Sequence, residues 1–573
     1  METTGAQFLA RALEAYGVTH FFHVPFILPW TCVEMERITG IKRIVTHDER
    51  AAGYMADGYA RASGRPGVCG AQAIGTSNLA AGLRDAFMGC SPVIAFSGGG
   101  YVRSKHRHQY QEADNLAIFD PVTKFNAHVE DVERLPDLFR QAFRSAVSGK
   151  PGPVHLELEG HFGEITETQV ADLAPVFEPR FSAVPPFRPE PDSESVQEAV
   201  RLLASAERPI IVAGGGVRDS GAGPELLALA EQQSIPVATS LNAKDVIPGT
   251  HPLAVGVVGL YQRESANRAV LEADLVCYVG SKTGSQVTRD WRVPPPGTAV
   301  IQVDIDAAEL GRHYPNAVSL LGDAKVTLTM LAAATGAATR DRSTWVERAR
   351  ELVADWRSSV ADRVGSEVVP MRPERLCGEL SAVLPSDGIV VADTGHAGFW
   401  TGTFLDLTRP GQGYLRAAGS LGWGFPASLG AKMAVGERPV ILFTGDGGLW
   451  YHLSEIETAV RWGVNVVVIV NNNRSMNEMI PFYEPMYGGQ LHGQHRDLWV
   501  FEDIDFAQVA LSLGANGLRV KKPSEVAPAI EQALGSDRLT VIDVVTDIAA
   551  LCPWEGVEVE PVVTEAFLQG GNG

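Results

Sequence analysis

The chain has 573 residues, 45% of them hydrophobic and 20% charged, the proportions of an ordinary soluble protein that divides into about three or four domains. A formal net charge of −20 argues against nucleic acid or an anionic membrane surface as a partner. No run approaches the roughly 18 apolar residues of a membrane span, the amino terminus lacks a signal peptide's basic start, and six scattered cysteines without a CxxC pair read as reduced thiols, so a cytoplasmic location is expected.

Taken in order, the chain opens with an amphipathic helix whose buried side carries Phe8, Leu9, Leu13 and Tyr16. A strand over Ile41–Thr46 feeds a helix that starts near Glu49, along which Ala52, Met55, Ala56 and Tyr59 recur at helical spacing. Glu49 therefore stands at a strand's carboxyl end and a helix's amino end, where an acidic residue also makes a favourable charge–dipole contact. Residues 1–173 form the first domain. Five prolines between Pro179 and Pro191 mark 174–192 as an extended linker. A middle domain, 193–338, has strands at Pro209–Ala213, Leu275–Val279 and Ala299–Val303. Gly214, Gly215 and Gly216 follow its first strand and invite a dinucleotide reading, but a simple β–α turn accounts for them, and the domain is taken as structural. A polar stretch from Thr339 to Thr344 opens a second linker, 339–364. The third domain spans 365–548, and 549–573 is a tail that would lie over the active site.

The most informative stretch runs from Val440 to Asn477. It reads as a buried strand, a Gly-Asp-Gly turn (Gly445, Asp446, Gly447), a helix with Leu453, Ile456 and Val460 on one face and Gly463 at its stop, a second strand over Val466–Val470, and three asparagines. Ligands of open α/β sheets bind at the carboxyl ends of such strands. There Asp446 offers a hard carboxylate, Asn473 a neutral carbonyl and Ser475 its backbone carbonyl. Three protein oxygens leave places on an octahedral Mg²⁺ for phosphate oxygens and water. Gly447 and Gly448 let the backbone approach a diphosphate.

Asp446 and Asn473 are 27 positions apart, and the segment resembles the motif of thiamine diphosphate enzymes that begins Gly-Asp-Gly and ends Asn-Asn. The run Met55-Ala56-Asp57-Gly58-Tyr59-Ala60-Arg61 resembles the same family's pyrimidine-binding domain, and counting back places the family's catalytic glutamate on Glu49. Asp48 stands where the family has histidine, with His47 one step earlier. Gln72–Asn78 keeps the family's Gly75 and Asn78, and Gln111 maps to a pocket glutamine that would hold the acceptor, although a polar loop residue also explains it. Phe22–Pro29 departs most: His23, Phe26 and Ile27 replace glycines, which fills space near the substrate end. His23 is entered as a catalytic candidate, against the plainer reading of a structural histidine. Gly395 and His396 map to the diphosphate-side loop. Gly419 and Leu421 map to the segment that bends the cofactor, Leu421 as the wedge unless it is ordinary core, and the Gly419 carbonyl as acceptor for the 4′-amino group. The decarboxylase branch's acid would fall at Met479 and is missing, while Glu478 would point elsewhere on a helix.

The chain as a whole resembles the acetolactate synthase-like group, and also benzaldehyde lyase and 2-hydroxyacyl lyases. The resemblance implies an α/β fold of three domains with parallel sheets (pyrimidine-binding, middle, diphosphate-binding), thiamine diphosphate and Mg²⁺ as cofactors, and a homodimer or dimer of dimers with each site between subunits. FAD or an adenine nucleotide occurs in the middle domain of some relatives; the glycine triplet and Gly280–Thr283 could serve such a site here, but nothing in the sequence requires one. Glu49 would act at N1′ of the aminopyrimidine, so that N4′ can take the proton from C2 of the thiazolium. The implied activity is decarboxylation of a pyruvate-like 2-oxo acid and transfer of the remainder to a second carbonyl. Alternatives are an acyloin or 2-hydroxyacyl lyase without decarboxylation and, behind these, a simple decarboxylase or a non-catalytic binding subunit.

Overall fold

The computed structural model describes residues 2–174, 176–337 and 340–552. Three all-parallel sheets of six strands organise the molecule, as the long apolar runs separated by helices imply. The first has the order Lys42–Val45, His20–His23, Gly67–Ala71, Val93–Gly98, Val154–Leu158, Phe125–Val129. The second is built around Pro209–Ala213, Leu275–Val279 and Ala299–Asp304, and the third around Val440–Gly445 and Val467–Asn472.

Chemically loaded residues collect at the carboxyl ends of these strands because each strand there hands over to a helix. The opening helix, Gly5–Ala15, buries Phe8, Leu9 and Leu13 as its spacing requires. Glu49 is the first residue of the helix Glu49–Ser63, and Asp48 caps it by accepting the N–H of Arg50. Gly463 ends the helix Glu455–Trp462 in the left-handed conformation (φ +63°), and Ile456 is buried, but Val460 is exposed rather than on the packed face.

The connection 339–364, expected as a polar linker, is mostly the helix Ser343–Val364, which buries Trp345, Val346, Ala349 and Leu352. The part of the tail beyond Cys552, expected over the active site, lies outside the described residues. All six cysteines are free, and among the described residues no helix is long and apolar enough to cross a membrane.

The first and third domains are locked together by the helices Glu49–Ser63 and Gly424–Val435. A Cβ on Gly58 would collide with the Ala427 carbonyl, and one on Gly430 with that of Met55. Two glycines thus let the helix backbones touch, which no other residue allows.

Candidate active site

Gly445 pairs in register with Asn471 at the ends of neighbouring parallel strands, so the turns that follow lie side by side. Asp446, in the first of them, is 2% exposed. Burial pushes its carboxyl up to about 7, opposed by the backbone N–H groups of Gly447, Ser475 and Asn473. The Asp446 carboxyl thus faces the turn that carries Asn473 and Ser475, the other two expected metal ligands. Asn473 Oδ1 accepts from the Ser475 N–H at 3.1 Å and its hydroxyl at 3.0 Å. Asn473 Nδ2 donates to Asn477 Oδ1. Arg474 takes φ +59° to make the turn. A buried carboxylate facing backbone amides, beside amide and backbone carbonyls, is an all-oxygen set that fits Mg²⁺.

Behind this turn stands a residue that sequence reasoning passed over. Asp393 is buried, and burial pushes its carboxyl up to about 6. Its Oδ1 accepts the N–H groups of Thr394 at 2.8 Å and Gly422 at 3.1 Å, and Oδ2 the Thr444 hydroxyl at 3.1 Å. A Cβ on Gly448 would stand 2.9 Å from that Oδ2. One carboxylate therefore ties together the Gly395 loop, the Gly419–Gly422 loop and the strand that carries Asp446. Gly395 (φ +65°) caps the helix His396–Phe404. The His396 ring is driven down to about 4 by burial, and its Nε2 has no partner among the described residues.

The Gly419 loop is held from the first domain. Asp85 accepts four bonds: Ala418 N–H at 2.8 Å and Arg61 Nη2 at 2.9 Å on Oδ1, Gly419 N–H at 3.1 Å and Ser420 N–H at 2.9 Å on Oδ2. Arg61 also grips Asp57, which accepts from the Trp423 indole at 2.8 Å. Leu421 is half-buried and belongs to none of the hydrophobic clusters, so ordinary core does not explain it.

Glu49 has its own setting. Its Oε2 accepts from Asn78 Nδ2 at 3.1 Å, and a Cβ on Gly75 would lie 2.5 Å from Oε1. Asp48, in the place of the family's histidine, is turned to Arg50, and His47 to Glu455 and Glu457. Gln111 sits in a loop at φ +60° with Oε1 buried and unpartnered among the described residues. His23 ends its strand, stacked on Phe21 with ring centroids 4.9 Å apart. Burial drives it down to about 4, its Nδ1 meets the Val24 carbonyl, and its Nε2 is buried without a partner among the described residues. Of the two bulky apolar residues expected to fill the substrate end, Ile27 turns into the core, as does its neighbour Leu28, and Phe26, 69% exposed at φ +70°, projects.

The chain does not pair Glu49 with the Asp446 turn: the recorded partner of its carboxylate, Asn78, belongs to the first domain. Glu478, expected to point away, is instead turned inward, with Oε2 accepting the His396 N–H at 2.8 Å. It lies in the 3-10 turn Asn477–Met479, not in a helix, and the helical projection that sent it elsewhere does not apply.

In the middle domain, the glycine triplet and Gly280–Thr283 edge a cavity of about 750 Å³ at the strands' carboxyl ends. Asp304, Arg416 of the third domain, and Met88 and Lys150 of the first domain also line it. That volume lies within the ordinary range of ligand pockets.

Comparison with known families agrees along the chain. Residues 3–118 match the N-terminal TPP binding domain of thiamine pyrophosphate enzymes, 196–331 their central domain and 393–544 their C-terminal TPP binding domain. The probable acetolactate synthase large subunit of Methanocaldococcus jannaschii is 34% identical over 96% of this chain and 93% of its own length. The acetolactate synthase large subunit of Corynebacterium glutamicum is 32% identical over 94% and 86%. The acetolactate synthase isozyme 1 large subunit of Escherichia coli is 29% identical over 95% and 94%. This chain belongs to the thiamine pyrophosphate enzymes and is acetolactate synthase-like.

Proposed function

We propose that the protein decarboxylates a pyruvate-like 2-oxo acid and joins the remaining fragment to a second carbonyl compound. The observation that carries this is the retention of both halves of the site: Glu49 held by Asn78 beside Gly75, and the Asp446 carboxylate gathered with Asn473 and Ser475. Asp446, the Asn473 side chain and the Ser475 carbonyl would hold Mg²⁺. The Gly395–His396 and Gly447–Gly448 backbones would hold the diphosphate, the Gly419 carbonyl would accept from the aminopyrimidine, and Leu421 would support the cofactor between them. Thiamine diphosphate, when bound, supplies a nucleophilic carbon and an electron sink. Glu49 holds the proton at N1′, and Gln111 the acceptor's oxygen.

Because the recorded partner of Glu49 belongs to its own domain, a second copy would supply the facing turn, in a homodimer or dimer of dimers. The middle-domain cavity supports a bound nucleotide, flavin or adenine, detectable by the absorbance of a protein-free extract.

The test is carbon dioxide release from a panel of 2-oxo acids with thiamine diphosphate and Mg²⁺, wild type beside Glu49→Gln. Release lost in the variant is the expected result. Phe26 on the open surface favours a second reading, a lyase for a bulkier hydroxyketone, and cofactor binding without any release would move the assignment there.

A further inference from the structure

Glu478 occupies a position built for an anion. Its Oε2 takes the first N–H of the helix His396–Phe404. The opening N–H groups of a helix lack partners within it, and the helix's positive end favours negative charge. The approach is close: a Cβ on Gly395 would collide with the same oxygen. Burial pushes the Glu478 carboxyl up, and the His396 N–H is the one group recorded as drawing it back. Among the described residues no arginine or lysine offsets that push. The buried His396 Nε2, unpartnered among the described residues, lies on the same turn.

We propose that Glu478 is an internal stand-in for the diphosphate: its carboxylate holds the His396 N–H, and an incoming diphosphate would displace it. This rests on reading Gly395–His396 as the diphosphate-side loop. One N–H cannot serve two anions, and two like charges in a buried site repel strongly. The resident carboxylate thus keeps the loop shaped before the cofactor arrives and subtracts from cofactor affinity.

The experiment is calorimetric titration of the full-length protein with thiamine diphosphate and, separately, with inorganic pyrophosphate, each with Mg²⁺. Wild type is compared with Glu478→Gln, whose amide oxygen still accepts the His396 N–H, and with Glu478→Ala. Each variant that melts like the wild type is expected to bind pyrophosphate about tenfold more tightly, on the order of 1.4 kcal/mol. A folded variant with equal or weaker binding overturns the inference. If the wild type fails to bind thiamine diphosphate while the variants still gain affinity for pyrophosphate, the cofactor reading falls and the anion seat stands.

Discussion

Asp85→Asn is the sharpest test of how the first domain holds the Gly419 loop of the third. The native carboxylate accepts two donors on each oxygen, three of them backbone N–H groups of the Ala418–Ser420 loop and the fourth the Arg61 guanidinium. Asparagine keeps one accepting oxygen and turns an NH₂ group toward two donors. Two charge-assisted bonds are lost, at about 1.5–3 kcal/mol each. The buried Arg61 keeps only Asp57 as a counter-charge. The expected loss is about 3–5 kcal/mol, the range for breaking a buried charged pair. In a chain of several domains this is read as a fall in apparent Tm of at least about 5 °C. Because Gly419 and Ser420 lose their anchor, thiamine diphosphate titrated by tryptophan quenching is expected to bind at least about tenfold more weakly. A variant whose Tm moves by less than about 1 °C, with unchanged cofactor affinity, would refute the assignment of Asp85 as the anchor of that loop.

Two further outcomes follow from single contacts. Gly75→Ala places a methyl group 2.5 Å from Glu49 Oε1, so steady-state turnover is expected to fall at least about tenfold with the melt unchanged; undiminished turnover would show that Glu49 is free to move. Burial pushes the Glu167 carboxyl up to about 7 against the pull of the Thr31 N–H, so the folded protein keeps a proton that the unfolded chain releases near pH 4.5. This contribution to stability is full below about pH 4.5 and lost as pH rises through about 7. Urea midpoints of Glu167→Gln are therefore expected to decline less than the wild type's across that window, and parallel curves would dismiss the argument.

What the sequence disclosed is what local spacing encodes. The Asp446–Asn473 interval is the length of one strand–helix–strand unit, and Glu49 follows its strand by the shortest of turns, so both could be placed from the chain alone. Asp393 was missed because its partners, Gly422 and Thr444, are remote in sequence, and the Arg61–Asp85–Ala418 network spans more than 300 positions. Nothing periodic announces such contacts. The helix Ser343–Val364 did have a signal: Trp345, Ala349 and Leu352 recur at helical spacing behind the polar residues that suggested a linker. Phe26 and Ile27 parted company because positive φ at Phe26 and Leu28 bends the loop so that adjacent side chains face opposite ways.

The glycine contact between the helices Glu49–Ser63 and Gly424–Val435 gives these scattered residues a common frame. Glu49 begins the first helix, while Trp423 and the Gly419 loop lead directly into the second. With Gly58 on the Ala427 carbonyl and Gly430 on that of Met55, the two helices cannot slide without a backbone clash. Beside that contact, Arg61 and Asp57 on the first helix and Trp423 before the second lock together, with the Arg61 guanidinium 4.7 Å from the indole ring. The acid proposed for the pyrimidine and the loop proposed for its amino group are thereby set by one rigid element. In a two-fold dimer each copy would lend its Glu49 to the partner's diphosphate turn. The geometry of both sites would then depend on the same helix pair, used twice.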